Sequence, residues 1–522
     1  MERTLKGKIY YFPFVFLLSF LPLALSPWTA HPGTLRLILS ISGISLQFFL
    51  FAFLLIKRER ICFSPLFYLL LIHFLWLLIS SSFSPFFLLS LSSTFLVSLF
   101  FLVFILSSQS KDFSPFLRYF LFPLPVVILI CFLQKSGLIF WGGRDFSATL
   151  GQKNLFALYL VVSTPFILRN IKTSKPLRKK WVWTILLFSL IVALIISHSR
   201  SGWLTFILVN AIFFFPQVRK ERKKLLFILF SFFMVILIIG ILLNFSCRYV
   251  SFEHPEKLTI PFRYLVWKGG WKMFLARPLI GWGRDTFPFV FPRFRSPRLE
   301  IYVPSDTMLA PRAHNEYLQI LSEEGIVGEI IFLLFWIFVL REGWRRKDIE
   351  GVSLFSSVAG MLFHGLFSVS LRYPLFLFYL YYFAGNLINT ECRPISLFKK
   401  KLLLSGAIMI LSSSLVISVI LFSSDYLLRK GEIYIKRGDL SKGRMLMEKA
   451  VRISPLSPRV LYKLGKARFL TGDFPGALQA YQKVEELVGD YVEVHANMAR
   501  CYFMLGEFSR AWDELTIAEK LH

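Results

Sequence analysis

Long apolar stretches follow one another along most of the chain, and short polar loops separate them. Each stretch is continuous rather than alternating, which indicates helices and not strands. About 20 apolar residues in a helix cross a hydrocarbon core of roughly 30 Å, and only helices or closed barrels satisfy the backbone in lipid. The pattern predicts an all-α, polytopic membrane helix bundle. Its twelve or thirteen spans are predicted at about 10–26, 35–56, 63–80, 86–106, 117–133, 154–169, 181–197, 202–216, 225–245, 317–340, 351–370, 373–389 and 402–422.

Clusters of Lys and Arg between these stretches predict the orientation of the bundle. They occupy 57–60, 169–180, 219–224, 341–347 and 393–401. The alternate loops hold few basic residues, so the positive-inside rule places the N-terminus in the cytoplasm. The first span has a basic flank like that of a signal peptide, but the repeated spans behind it favour an uncleaved anchor. Thirteen spans place the C-terminus outside.

The loop 246–316 is long and basic, and it is predicted to lie outside. Loops beyond about 60 residues are translocated whatever their charge, so this loop does not contradict the orientation. Anionic lipid head groups or a diphosphate substrate would explain its basic character.

The whole chain has 522 residues, of which 55% are hydrophobic, and a formal net charge of +29. Because most of this charge lies between spans, it does not predict nucleic-acid binding.

The cysteines are widely separated along the chain, and none has the spacing of a metal site. They are Cys62, Cys131, Cys247, Cys392 and Cys501. Neither a zinc site nor a disulfide framework is predicted. We expect no metal and no cofactor.

The last hundred residues carry a period of 34 residues. Gly438, Gly472 and Gly506 share it, and so do Gly431, Gly465 and Ala499. Small residues at these positions let two helices of a hairpin approach closely. The pattern is similar to three tetratricopeptide repeats, about the number needed for a stable stack. We therefore divide the chain into a membrane domain at 1–424 and an extracytoplasmic repeat domain at 425–522, which we expect to bind a peptide or another subunit.

Three places near the outer ends of spans carry candidate chemistry. Arg200 lies in the turn SRSG between two apolar stretches. An Arg at such a place costs free energy unless an anion binds it, and a phosphate suits the guanidinium group. The alternative is an Arg that snorkels to lipid head groups. Arg263 begins an amphipathic helix at the membrane surface, which could equally be an ordinary interfacial helix. His314 lies where the outer loop re-enters the membrane and could accept a proton near pH 7, although a lone His is more often structural.

Between the last two places lies PLIGWG, at 278–283. Its glycines, Gly281 and Gly283, suggest a tight turn with exposed backbone N–H groups. Asp285 and Glu316 also lie on this side, and we interpret them as solvated or as partners of nearby Arg.

Taken in order, these segments resemble the O-antigen ligase and polymerase family. The matching pieces are SRSGWL at 199–204, RYLVW at 263–267, RPLIGWGRDTF at 277–287 and HNEYLQILSEEGIVG at 314–328. The resemblance covers roughly residues 35–390. It implies a GT-C-like, metal-independent, inverting glycosyltransferase of the bacterial inner membrane, of the kind used in lipopolysaccharide biosynthesis.

The resemblance also implies roles for individual residues. The donor would be a glycan on undecaprenyl diphosphate, with Arg200 and Arg263 on the diphosphate and His314 activating the acceptor hydroxyl. Supporting residues are expected at Asn315, Arg312, Gly281 and Gly283. We expect Arg200, Arg263 and His314 to converge on one cavity open to lipid.

The acceptor stays open at this point. A final span that places repeats outside departs from the twelve-span pattern of the family. Lipid A core, a growing glycan and a protein are all acceptors compatible with this architecture, which makes the chain a ligase, a polymerase or a protein O-oligosaccharyltransferase. The non-enzymatic alternative is a flippase or transporter with an assembly module, although the spans show neither internal repeats nor midplane charges.

Overall fold

A computed structural model describes residues 12–24, 33–56, 60–109, 114–139, 147–218, 259–296, 299, 312–488 and 492–521. The membrane half is built from helices that run α1 Phe12–Phe20, α2 Thr34–Leu55, α3 Leu66–Ser82, α4 Phe87–Ser107, α5 Ser114–Leu121, α6 Leu124–Lys135, α7 Lys153–Thr173, α8 Leu177–Ile196, α9 Arg200–Val218, α10 Thr259–Ala276, α11 Phe287–Val290, α12 Glu316–Arg345, α13 Ile349–His364 and α14 Pro374–Leu387. Two short strands, β1 Arg60–Phe63 and β2 Glu391–Pro394, form an antiparallel pair. The C-terminal part runs α15 Leu397–Lys436, α16 Leu440–Ile453, α17 Pro458–Leu470, α18 Phe474–Val488, α19 Val492–Met504 and α20 Phe508–Leu521.

The predicted all-α membrane bundle is confirmed. In the described part of the chain, 6 helices are long and apolar enough to cross a membrane, and four shorter apolar helices accompany them. The predicted span at 225–245 lies outside the described residues, and each other predicted span coincides with a helix or a broken helix. The exact number of spans stays a prediction.

Aromatic side chains hold the centre of the bundle together. The ring of Phe120 on α5 meets Tyr379 and Phe383 of α14 edge-on, at centroid distances of 5.0 and 5.1 Å, and Phe166 of α7 at 5.1 Å. Helices in lipid gain little from apolar burial against each other, so close packing and such aromatic pairs carry the association. This explains how a chain with 59 Phe residues builds one compact bundle.

Helix α15 is 40 residues long and links the bundle to the repeats. It lies along α2, where the hydroxyls of Ser45 and Ser414 are 2.6 Å apart and Thr34 donates to Asp425 at 2.7 Å. Such polar contacts between apolar helices replace water as hydrogen-bond partner. The boundary we predict between 424 and 425 falls inside this continuous helix, and the division into two domains stays a prediction.

The part of the cysteine prediction that excludes disulfides is wrong for one pair. Cys62 on β1 and Cys392 on β2 form a disulfide across a sequence separation of 330 residues, and the two residues face each other in the strand pair. Cys131 and Cys501 are buried and free. Sequence spacing failed here because the bundle returns two distant loops to the same end, and spacing along the chain does not measure that.

The C-terminal helices form the predicted repeats. A glycine with positive φ closes the turn of each helical hairpin. The φ value is 88° at Gly438 between α15 and α16, 78° at Gly472 between α17 and α18, and 78° at Gly506 between α19 and α20. Only glycine adopts this conformation without strain. A Cβ on Gly465 would lie 2.7 Å from the Tyr481 ring, so the small residue is needed for the helices to touch.

The repeats and the outer loop share one end of the molecule. A single cluster of buried apolar side chains contains Phe287 and Val290 of the outer loop together with Ala477 and Tyr481 of the repeats. This places both on the same face, as the topology predicts. Which side of the membrane that face meets stays a prediction.

Candidate active site

Arg200 begins α9, directly after the turn that ends α8. The hydroxyl of Ser199 accepts from the backbone N–H of Gly202 at 3.2 Å and donates to Asn154 at 2.8 Å. It thereby caps the helix, which serine does well at this position. A Cβ on Gly202 would lie 2.5 Å from that of Ala157, so glycine lets α9 press against α7. The motif thus fixes the first helical turn, and the Arg200 side chain projects from it exposed.

Arg263 lies in the first turns of α10, which confirms a helix where the sequence predicts one. Trp267, one turn further on, donates from its indole to the carbonyl of Ala313 at 3.0 Å. Burial lowers the pKa of Arg263, and the charge of Arg200 lowers it further. Two guanidinium groups therefore lie within electrostatic range of each other.

His314 occupies the short connection into α12. Its φ is 53°, a left-handed conformation that is uncommon outside glycine. Neighbours hold it there, because Asn315 caps α12 by accepting from Leu318 at 3.1 Å and Gln319 accepts from the N–H of Ala313 at 3.0 Å. Burial and the charge of Arg263 lower the pKa of His314 to about 4. The imidazole is therefore neutral at pH 7.

The three predicted site residues are brought together around Arg263. The charge of Arg200 acts on Arg263, and the charge of Arg263 acts on His314. The ring of Phe262, next to Arg263 in the chain, lies 6.0 Å from the His314 ring. The segments that supply them are separated by up to about a hundred positions in sequence. The roles of the three residues, and a cavity shared by them, stay predictions.

Sequence reasoning missed His364, at the end of α13. One ring nitrogen lies 3.1 Å from the hydroxyl of Ser201 and the other 3.0 Å from that of Ser370. With both nitrogens engaged, His364 links the turn that carries Arg200 to the α13–α14 connection. The signal was available, because an ionisable residue in an apolar span is a functional candidate by default.

Arg372 was also missed, and it is the centre of a buried ionic network. Its guanidinium donates to Glu316 at 2.7 Å, to Glu323 at 2.8 Å and to Asp285 at 3.2 Å. Arg312 reaches the same oxygen of Asp285 at 2.6 Å. Burial raises the pKa of Asp285, but Arg312 and Arg372 outweigh burial and hold it well below its usual range. Asp285 and Glu316 thus are partners of nearby Arg, as one of our two interpretations has it.

The glycines of PLIGWG have another purpose than the one suggested by sequence. Gly281 and Gly325 have φ values of 74° and 72°, and a Cβ on either would meet backbone of the facing segment. The N–H of Gly283 donates to the carbonyl of Glu323 at 2.7 Å, and that of Gly281 donates to Arg277 at 3.0 Å. The expectation of exposed N–H groups is therefore wrong at these two glycines. Gly325 has a non-helical backbone and kinks α12, and the PLIGWG segment forms backbone hydrogen bonds with α12 on both sides of this kink.

Two family models match parts of the chain. Residues 185–333 match the family model described as O-antigen ligase, and that stretch contains Arg200, Arg263 and His314. The resemblance to the O-antigen ligase family is confirmed. Residues 459–488 match a tetratricopeptide repeat, so the O-antigen ligase-like chain carries repeats after its apolar helices.

A curated relative is similar over about half of its length. The ComP-specific O-oligosaccharyltransferase of Acinetobacter baylyi is 26% identical over 274 residues, which cover 51% of this chain and 48% of the relative. Together with the apolar helices, these matches identify a multi-pass bacterial membrane protein.

Proposed function

We propose that this chain is a glycosyltransferase that moves a glycan from undecaprenyl diphosphate to an acceptor on the outer face of the bacterial inner membrane. In this proposal the N-terminus is cytoplasmic and the repeats are outside. The observation that carries the proposal is a pair of arginines, Arg200 and Arg263, held near a neutral His314. The match to the O-antigen ligase family supports it.

The two arginines need an anion. Neither forms an ion pair with any carboxylate in the described parts of the chain, and the charge of Arg200 lowers the pKa of Arg263. A diphosphate between them offsets this repulsion and takes up bidentate hydrogen bonds from each guanidinium. As the glycosidic bond breaks, charge develops on the departing lipid diphosphate, and two fixed cations stabilise it without a metal.

In this proposal His314 acts as the base. The acceptor hydroxyl attacks the anomeric carbon of the donor sugar, the bond from that carbon to the diphosphate breaks, and the proton of the hydroxyl passes to the imidazole. Attack opposite to the leaving group inverts the anomeric centre. Because the charge of Arg263 lowers the pKa of His314, a bound diphosphate raises it again and makes the imidazole a stronger base when the donor is present.

The test is transfer by the reconstituted full chain from undecaprenyl-diphosphate glycan. Arg200→Ala, Arg263→Ala and His314→Ala should each lower transfer by at least about 100-fold while the protein stays in the membrane. Arg345→Ala, at the far end of α12 in an exposed pair with Glu342, is the matched control and should keep activity. Full transfer by all three site variants would show that the site assignment is wrong.

The second candidate differs in the acceptor. The Acinetobacter baylyi relative, about half of which matches this chain, is named an O-oligosaccharyltransferase. The repeats also pack against the outer loop that carries the site. Both observations favour a protein acceptor recruited through the repeats over lipid A core. Mass analysis separates the outcomes: a ligase yields glycan of unchanged length on lipid A core, an oligosaccharyltransferase yields it on protein, and a polymerase lengthens the donor. Movement of intact donor lipid without any transfer would point to a flippase.

A further inference from the structure

A groove of about 330 Å³ opens between the outer end of α3 and the segment that follows α10. Its lining consists of Phe83, Arg277, Pro278, Leu279, Ile280 and Gly281. Phe83 and Leu279 each leave 63% of their surface exposed. Arg277 is the single charged residue among the six. The groove is therefore an apolar trough with a guanidinium at its rim.

The orientation of Arg277 is fixed, but its charge is not neutralised. One nitrogen donates to the carbonyl of Phe83 at 3.1 Å, and the guanidinium carbon lies 4.3 Å from the centre of the Trp282 ring. Trp282 is itself held, because its indole donates to the carbonyl of Met273 at 2.8 Å. In the same segment Arg284 pairs with Glu324, whereas Arg277 has no carboxylate partner among the residues that the structure describes. A cation built into the surface in this way calls for an external anion.

The surroundings are those of a membrane surface. Along α10 the aromatic rings of Tyr264 and Trp271 are exposed, and so are Lys268 and Lys272. Exposed aromatic rings with interspersed lysines are typical of a helix at the level of lipid head groups. The trough thus opens at the depth where membrane lipids offer both acyl chains and phosphate groups.

The trough is separate from the proposed diphosphate site. Arg263 lies near the start of α10 and the trough lies beyond its end at Ala276. At 1.5 Å per residue, about 20 Å of helix separates them. One diphosphate cannot contact both, so the trough takes a different ligand.

We propose that this trough binds one anionic phospholipid, with part of an acyl chain against Phe83 and Leu279 and its phosphate on Arg277. The apolar lining matches the chain, and the unpaired guanidinium matches the phosphate. This site does not depend on the glycan transfer proposed above.

Native mass spectrometry of the purified full chain tests the proposal, with equal amounts of phosphatidylglycerol and phosphatidylcholine added in mild detergent. The wild type should retain one phosphatidylglycerol in preference to phosphatidylcholine. Arg277→Gln should weaken that retention about fivefold, the typical contribution of one basic residue near an anionic lipid. Leu279→Trp should also reduce retention, because the larger side chain fills the trough and leaves Arg277 intact.

Arg118→Gln is the matched control. Arg118 also stacks on an aromatic ring, Tyr119, with its guanidinium carbon 4.6 Å from the ring centre, but it does not line the trough. It should retain phosphatidylglycerol like the wild type. Equal retention of the two lipids by the wild type, unchanged retention by Arg277→Gln or Leu279→Trp, or an equal loss in Arg118→Gln would overturn the proposal.

Quenching of Trp282 fluorescence in the wild type tests the same site if Arg277→Gln does not fold. Trp282 lies under Arg277, so phosphatidylglycerol with brominated acyl chains should quench it in the wild type. Trp282→Phe supplies the reference that isolates its signal from the other indoles. Stronger quenching by brominated phosphatidylglycerol than by brominated phosphatidylcholine supports the site, and equal quenching overturns it.

Discussion

Two sets of arginines at one end of the bundle differ in one respect. Arg372 is 2% exposed and contacts three carboxylates, those of Asp285, Glu316 and Glu323. Arg200 and Arg263 have no carboxylate partner in the described ranges, and the charge of Arg200 lowers the pKa of Arg263. Arg372, whose charge is neutralised, holds the loops in place. Arg200 and Arg263, whose charges lack a counter-ion, mark the place where we propose that an anionic ligand binds. Glu316, which pairs with Arg372, follows His314 by two positions, so the paired set is the rigid frame that holds the connection carrying His314.

Removal of the paired arginine should have the largest effect. Arg372→Gln leaves Glu316, Glu323 and Asp285 without their common cation, and an uncompensated buried charge costs about 3–5 kcal/mol. Thermal unfolding in detergent measures the loss. Arg345→Gln, which breaks an exposed pair with Glu342 at 2.7 Å, should cost only about 0–1 kcal/mol. Equal small losses in both variants would remove the distinction between frame and site.

Removal of an unpaired arginine should act on transfer instead of stability. Arg263→Gln takes away a cation that stabilises the leaving diphosphate, and loss of one such group typically lowers the rate by about 10²–10³-fold. The unfolding temperature should stay the same or rise, because the repulsion from Arg200 is relieved. Turnover and unfolding temperature of the same preparation are compared. A variant that loses stability along with activity would place Arg263 in the frame.

A diphosphate that binds between Arg200 and Arg263 should stabilise the wild type against unfolding. Inorganic pyrophosphate at about ten times its dissociation constant should add about 1.4 kcal/mol to the free energy of unfolding. The shift should vanish in Arg263→Gln and persist in Arg345→Gln. An identical shift in all three proteins would indicate binding elsewhere on the basic surface.

The pH dependence should report the same electrostatics with the smallest effect. His314 acts as a base only when neutral, and its pKa of about 4 in the donor-free protein means that kcat/KM should stay level from pH 7 to about pH 5. In Arg263→Gln one cause of the lowered pKa is removed, so the residual kcat/KM should fall at a higher pH than in the wild type. His314→Gln should lack this acidic limb. A wild-type profile that already falls near pH 6.5 would contradict an imidazole that is buried beside Arg263.

The candidate site was predictable where it depends on local sequence. Arg200 is recognisable because an Arg beside long apolar stretches is costly without an anion. Arg263 lies in a predicted amphipathic helix at the membrane surface, and His314 marks the return of the outer loop. Arg372 and His364 were not predicted, because each is a single residue whose partners are distant in sequence. Glu316, for example, lies 56 positions before the arginine that neutralises it.

The amino-acid sequence by itself determined the membrane bundle and the repeats. Apolar length decides whether a helix crosses lipid, and a 34-residue period of small residues decides how hairpins stack; both are properties of short stretches. Only the tertiary structure decided the pairing of Cys62 with Cys392, the locking of PLIGWG onto the kink at Gly325, and which arginines are neutralised. Each of these depends on segments that the folded chain brings together from distant positions. The division between frame and site therefore emerges only when the helices have packed.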